Sequence, residues 1–163
     1  MRLFADASGE DRCIAAVLVI QGNWKYTWMK VPDLIWEKLL PREDNQIRVT
    51  EAMAVALALE TFKDDLRDNM VSCFIDNAGT MAGFVKGASA SAEQNIIISE
   101  AWMEFARNRI AIEFWRVASK CNGADGPSRL DFALMCRKKA KVVFPELPPY
   151  LWRLWEVSQR PRL

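Results

Sequence analysis

Leu3 and Ala5 alternate with Phe4 and Asp6 in the opening stretch RLFADAS, a period of two that predicts a short strand. The run RCIAAVLVI (12–20) is apolar without alternation and rich in β-branched residues, as expected of a central strand covered on both faces. A turn at Gln21-Gly22-Asn23 leads into WKYTWMKV (24–31), where aromatic and β-branched residues alternate, so the chain should open as a three-strand meander. A polar loop, PREDNQIRV, follows. Thr50 then precedes EAMAVALALETF, which is Ala/Leu/Met/Glu-rich and free of Gly; a helix is predicted from about 50 to 65, either with Thr50 contributing to its cap or with a start a few residues earlier.

The second half alternates. MVSCFID (70–76) reads as a buried strand, and Asn77 can cap a short helix, AGTMAGFVKG, that ends at Gly87. AEQNIIISEAWMEFARNR (92–109) has the period of an amphipathic helix, and IAIEFWRVAS (110–119) that of a strand. ADGPSRLDFALMCRKKAK begins with a turn, for which Gly123 and Gly126 are suited, and becomes helical from about Pro127. The order β β β α β α α β α implies an α/β protein with a mixed sheet and helices on both faces. Residues 1–136 make up this unit. Residues 137–163 form a basic, Pro/Trp-rich extension that either docks through Trp152 and Trp155 or links to another domain. Met1 stands just before the first strand, which suggests an excised domain.

Composition narrows the chemistry. The chain has 163 residues and no histidine, which removes His-based zinc sites, Ser-His-Asp and Cys-His nucleophiles and imidazole acid–base catalysis. Cys13, Cys73, Cys121 and Cys136 form no C-x-x-C pair, and free thiols are expected. No run reaches the roughly 18 apolar residues of a membrane span, and the early acidic residues do not suit a signal peptide. The expectation is a protein inside the cell with no membrane partner. Net charge is +1 but uneven: −5 over residues 1–115 and +6 over residues 116–163. A basic end beside an acidic body suits a phosphate-bearing partner, or else is a solvated tail.

Four acidic residues stand out by position. Asp6 lies inside the first strand, Glu51 opens the long helix, Asp76 ends the fourth strand, and Asp125 follows the fifth. Taken singly each has a plainer reading: an edge-strand acid, a helix N-terminal acid favoured by the macrodipole, an Asp-Asn cap and a loop residue. Glu10, Asp11, Glu43, Asp44 and KDDLRD read as solvated surface. A carboxylate within or ending an apolar strand is costly to bury unless paired or bound to metal. The carboxyl ends of parallel strands are where sites form in α/β sheets. Converging carboxylates raise one another's pKa, and divalent cations relieve the repulsion. Oxygen ligands without His or Cys favour Mg²⁺ or Mn²⁺, and two such ions about 4 Å apart form a phosphoryl-transfer clamp.

FADASG, TEAMAVALALE, CFIDNAGTMAGFVKG and RVASKCNGADGPSR, in that order, resemble a ribonuclease H domain, nearest to those of reverse transcriptases from retroelements and pararetroviruses. Ser119, Asn122, Ala124-Asp125 and Pro127-Ser128-Arg129 follow the last motif of that family, and the resemblance covers about residues 1–135. It implies an RNase H-like fold with a five-stranded mixed sheet in the order 3-2-1-4-5. It implies cleavage of the RNA strand of an RNA–DNA hybrid with two Mg²⁺ or Mn²⁺, leaving 5′-phosphate and 3′-hydroxyl ends. Asp6, Glu51, Asp76 and Asp125 match the family's catalytic metal ligands. Ser8 and Gly9 match the segment along the RNA strand. Asn45 and Gln46 match polar groups in the minor groove, and Asn77 and Thr80 contacts to phosphate or the DNA strand. Arg129 is a substrate-binding candidate. A reverse-transcriptase polypeptide is a further possible partner. Two departures bear on activity. The loop histidine of many cellular members is absent, with Lys120 the nearest stand-in, and the basic helical protrusion is missing. Weak or partner-dependent activity is expected. A DNA-directed nuclease of the same fold, such as a resolvase or transposase-like enzyme, and a non-catalytic scaffold remain alternatives.

Overall fold

The computed structural model describes residues 1–39 and 46–154. Strands β1 (Arg2–Ser8), β2 (Cys13–Ile20) and β3 (Asn23–Lys30) form the expected antiparallel meander. Gln21 and Gly22 both have positive φ, 48° and 81°, the left-handed pair that a two-residue hairpin turn needs. β4 (Met70–Ile75) runs parallel to β1, and β5 (Ala111–Arg116) runs parallel to β4. A two-residue strand, β6 (Lys141–Val142), pairs parallel with β3. Among the described residues the mixed sheet therefore has six strands in the order β5-β4-β1-β2-β3-β6. Five of them keep the expected succession. The sixth is a correction to the five-stranded expectation, and Lys-Val carries no apolar run that would announce it.

β2 is buried along nearly its whole length because helices lie on both sides. On one side, Leu3, Ala5, Ala7, Ile14, Ala16 and Leu18 pack beneath α2 (Ile47–Thr61), itself backed by α5 (Ala92–Arg107). Every residue of α2 from 49 to 59 is buried, so it is apolar on nearly every side rather than along one stripe. Two one-turn helices, α1 (Asp33–Trp36) and α3 (Lys63–Leu66), flank it, and α4 (Ala78–Lys86) closes that side over β5. On the other side Ala15, Val17 and Val19 meet α6 (Asp125–Ser128) and α7 (Ala133–Arg137).

The helix expected from Pro127 onward is divided. Leu130 takes a φ of 61°, and Phe132 turns inward between Tyr26 and Trp28, with ring centroids 5.9 and 5.4 Å away. The C-terminal segment also docks differently from expectation. Leu151 and Leu154 are buried against the core while Trp152 is exposed, and Trp155 lies outside the described residues. Thr61 Oγ1 anchors this segment, donating to the Glu146 carbonyl at 3.4 Å and accepting from its N–H at 3.0 Å. No described helix is long and apolar enough to cross a membrane.

Candidate metal centre

Asp6, Glu51 and Asp76 reach one point from three elements. In β1, Ala5 and Ala7 face α2, and alternation turns Asp6 to the opposite side. Glu51 stands in the second turn of α2, above the end of β1, and its Oε1 accepts a hydrogen bond from Ala7 N–H at 3.4 Å. Asp76 follows the last residue of β4, beside the end of β1. One oxygen from each lies within 4.8 Å of the others. Asp6 and Glu51 are both about 3% exposed. The second carboxylate oxygen of Glu51, Oε2, is buried and accepts no hydrogen bond among the described residues, although the Glu51 and Asp6 carboxyls are close enough to share one when protonated.

This arrangement is electrostatically unfavourable by itself. Burial pushes the Asp6 carboxyl up to about 7; the Ser128 hydroxyl opposes the rise, and Asp76 and Asp125 add to it. Burial also pushes Glu51 up to about 10, with the charges of Asp6 and Asp76 contributing. Such carboxyls hold protons unless a cation takes their place. A lone, aimed carboxylate oxygen in an all-oxygen cluster fits a hard divalent cation of the Mg²⁺ or Mn²⁺ class. Asp6, Glu51 and Asp76 are the residues that would hold it.

Asp125 stands apart from the three. Its Oδ1 accepts from Arg129 Nε one turn later, at 3.1 Å, although its charge still reaches Asp6. Two residues hold the Asp125 loop against β1. Asn122 Nδ2 donates to the Ala5 carbonyl at 3.0 Å and its Oδ1 accepts from Ala124 N–H at 3.0 Å. The fully buried Ser128 hydroxyl lies between Asp6 Oδ2 and the Asp125 carbonyl. Both residues stand in the motif that carried the family likeness, yet what they touch is 117 and 122 residues away in sequence. The glycines work by close approach. A Cβ on Gly126 would sit 2.6 Å from the Asp131 carbonyl oxygen, and one on Gly123 would sit 3.3 Å from the Phe4 ring. α6 starts at Asp125, so Pro127 lies within that turn rather than opening it.

The three carboxylates open into a cleft of about 420 Å³. Ser8, Gly9, Asn77 and Arg129 line it, as do Glu10 and Ser119, of which Glu10 had read as plain surface. The Ser8 hydroxyl donates to Asp11 Oδ2 at 3.2 Å and accepts from Asp11 N–H at 3.3 Å. Asn77 caps α4 by accepting from Thr80 N–H at 2.9 Å. The expected strand contact from Thr80 is corrected: its side chain is fully buried, donating to the Arg48 carbonyl and accepting from Gln94 Nε2 at 3.2 Å. Gln46 forms the N-cap of α2 with a φ of 62°, and Lys120 is exposed on a one-turn 3₁₀ segment, Ser119–Cys121. Asn45 lies outside the described residues. No protein-family model matches the chain, and no curated protein matches it.

Proposed function

We propose that this chain is a divalent-cation-dependent endonuclease of RNase H-like fold that cleaves the RNA strand of RNA–DNA hybrids. The observation that carries the reading is the buried cluster of Asp6, Glu51 and Asp76, with Glu51 Oε2 unpartnered, at the mouth of an open cleft. The five expected strands in the order 3-2-1-4-5 support the fold reading, and the four motifs supply the substrate class. Bound divalent cations supply Lewis-acid stabilisation of charge at the scissile phosphate.

The chain's own residues do the rest. Ser128 and Ala7 N–H orient Asp6 and Glu51 before any ligand arrives, which is the preorganisation an electrostatic site requires. Asn122 holds the Asp125 loop to β1, so that Asp125 adds charge at the rim. Ser8 and Gly9 line the cleft, where a ribose 2′-hydroxyl can be read. Arg129 stands where it can meet a phosphate. Water adds to phosphorus and the 3′-oxygen leaves, giving 5′-phosphate and 3′-hydroxyl ends. A reverse-transcriptase polypeptide would supply the grip that the missing basic protrusion gives other enzymes.

Incubation with an end-labelled hybrid in Mn²⁺ tests the reading. The RNA strand is expected to be cut and the DNA strand spared, with Asp76→Asn losing about 100-fold or more. Equal cleavage by both proteins would place the activity outside this cluster. Cleavage of duplex DNA or a junction with hybrid RNA intact would favour a DNA-directed nuclease instead.

A further inference from the structure

Over β4 and β5 the two sides of the sheet are unlike. Val71, Cys73 and Ile75 are buried beneath the helices, while Met70, Ser72 and Phe74 alternate with them toward the other side. In β5, Ile112 and Phe114 pack against the core, and Ala111, Glu113 and Trp115 are exposed. α6 covers this second side only over β1 to β3. The second side is therefore stepped, and Gly123 closes against the Phe4 ring at the foot of the step.

The strand register puts Arg2, Ser72 and Glu113 in one row on this side, across β1, β4 and β5. Neighbouring strands lie about 4.8 Å apart, so Arg2 and Glu113 flank Ser72 at equal distances with opposite charge. Both are exposed, and neither forms a salt bridge among the described residues. Glu113 accepts only from neutral groups, Ser72 Oγ at 2.7 Å and the Trp115 side chain. The rows on either side are apolar. Met70 stands beside Ala111 in one, and Phe74 stands between Phe4 and Trp115 in the other. Met70 is 79% exposed and Trp115 52%.

Rotation by half a turn about a line along β4, just above the sheet, exchanges the places of β1 and β5. Such an axis sets Arg2 of each copy opposite Glu113 of the other and puts Met70, Ser72 and Phe74 against their own counterparts. It also brings the bare β5 of each copy alongside the α6 step of the other. A charge pair that cancels only against a rotated copy, around an apolar centre, is the self-complementarity that an isologous contact requires. A partner of one charge sign would satisfy either Arg2 or Glu113 and oppose the other. We infer that this face pairs with a second copy of the chain about a two-fold axis along β4, through reciprocal Arg2–Glu113 ion pairs around Met70, Phe74 and Trp115. The face is three strands wide, so the pair is a reversible one. The pairing does not depend on the nuclease reading. Because the axis runs along the strands, the Asp6 and Asp76 sites of the two copies lie at the same end of the pair.

Sedimentation velocity of the full chain over a range of about 5–500 μM is the test. The average mass is expected to rise with concentration toward twice that of one chain. Arg2→Glu and Glu113→Arg should each weaken self-association about tenfold or more, since each sets like charges together at both contacts of the pair. An equimolar mixture of the two variants should associate within about twofold of the unsubstituted chain, because the two reversals restore opposite charges at both contacts. Rescue on mixing is a readout that misfolding of either variant does not imitate. A chain that stays monomeric throughout the range overturns the inference. So does a dimer that both variants form unchanged, or a mixture that associates no more tightly than either variant alone.

Discussion

Glu51 lines the cleft and Asp125 stands next to it, bonded to the cleft residue Arg129, and the surroundings of the two acids are opposite. Glu51 is buried, shares its space with two further carboxylates, and keeps one oxygen that no donor among the described residues reaches. Asp125 is half-buried and already has a cation, Arg129, one turn along its own helix. The protein thus meets the cost of negative charge internally at the outer position and leaves it unmet at the inner one. Under the proposed metal-dependent reading, the inner site would take its counter-charge from solution.

The largest effect that would sharpen this contrast is at Glu51. Glu51→Gln should abolish Mn²⁺-supported cleavage, by about 100-fold or more, and should stabilise the metal-free protein by roughly 2–4 kcal/mol at neutral pH. Loss of activity with a gain in stability, read by urea unfolding in chelator, is the signature of a ligand held at a cost. A destabilised Glu51→Gln protein would break the comparison. Asp125→Asn should cost cleavage only about tenfold, because its charge acts on Asp6 from the rim.

The next effect is pH dependence. Asp6 and Glu51 have folded-state pKa values above their ordinary ones, so the folded chain holds protons that the unfolded chain has released. Their contribution is full below about pH 4 and is lost as pH rises toward 7 for Asp6 and toward 10 for Glu51. The difference in unfolding free energy between wild type and Glu51→Gln in chelator should therefore widen with pH. Saturating Mn²⁺, at about a hundred times its dissociation constant, should add about 2.7 kcal/mol to the wild type, with most of that gain absent in Glu51→Gln. A gain of the same size in both proteins would place the cation elsewhere.

Ser128→Ala comes third. It removes the hydroxyl that holds Asp6, at an expected cost of about 1–2 kcal/mol in stability, together with weakened Mn²⁺ affinity by isothermal titration. Loss of stability with unchanged Mn²⁺ affinity would reduce Ser128 to a packing residue. The smallest effect is Arg129→Ala. Its exposed pair with Asp125 is worth about 0.3–0.5 kcal/mol in stability. Its expected mark is instead on substrate, a salt slope of hybrid binding lower by about one.

The apolar runs of β1, β2 and β4 and the Gly-free stretch of α2 were legible because burial on one or both sides leaves a period in the chain. β6, the break between α6 and α7, and docking through Leu151 rather than Trp152 were not, since two residues or a single leucine carry no period. At the site, the residue types and their order were readable at Asp6, Glu51 and Asp76. Thr80 misled because a polar residue in the first turn of a helix looks the same whether it faces a cleft or the α2–α5 junction.

By itself the sequence determined the chemistry available: no imidazole, acids at the ends of apolar elements, and an oxygen-only ligand set. Tertiary structure alone decided which acids meet. The parallel pairing of β1 with β4 puts Asp76 beside Asp6, and α2 lying over β1 drops Glu51 between them. Asp125 is kept at the rim because one turn of helix gives it Arg129 while Ser128 turns inward to Asp6. Local sequence sets what a side chain can bond, but charge–charge distance is a property of chain crossings, and it is that distance which separates the clustered acids from the one held in a salt bridge.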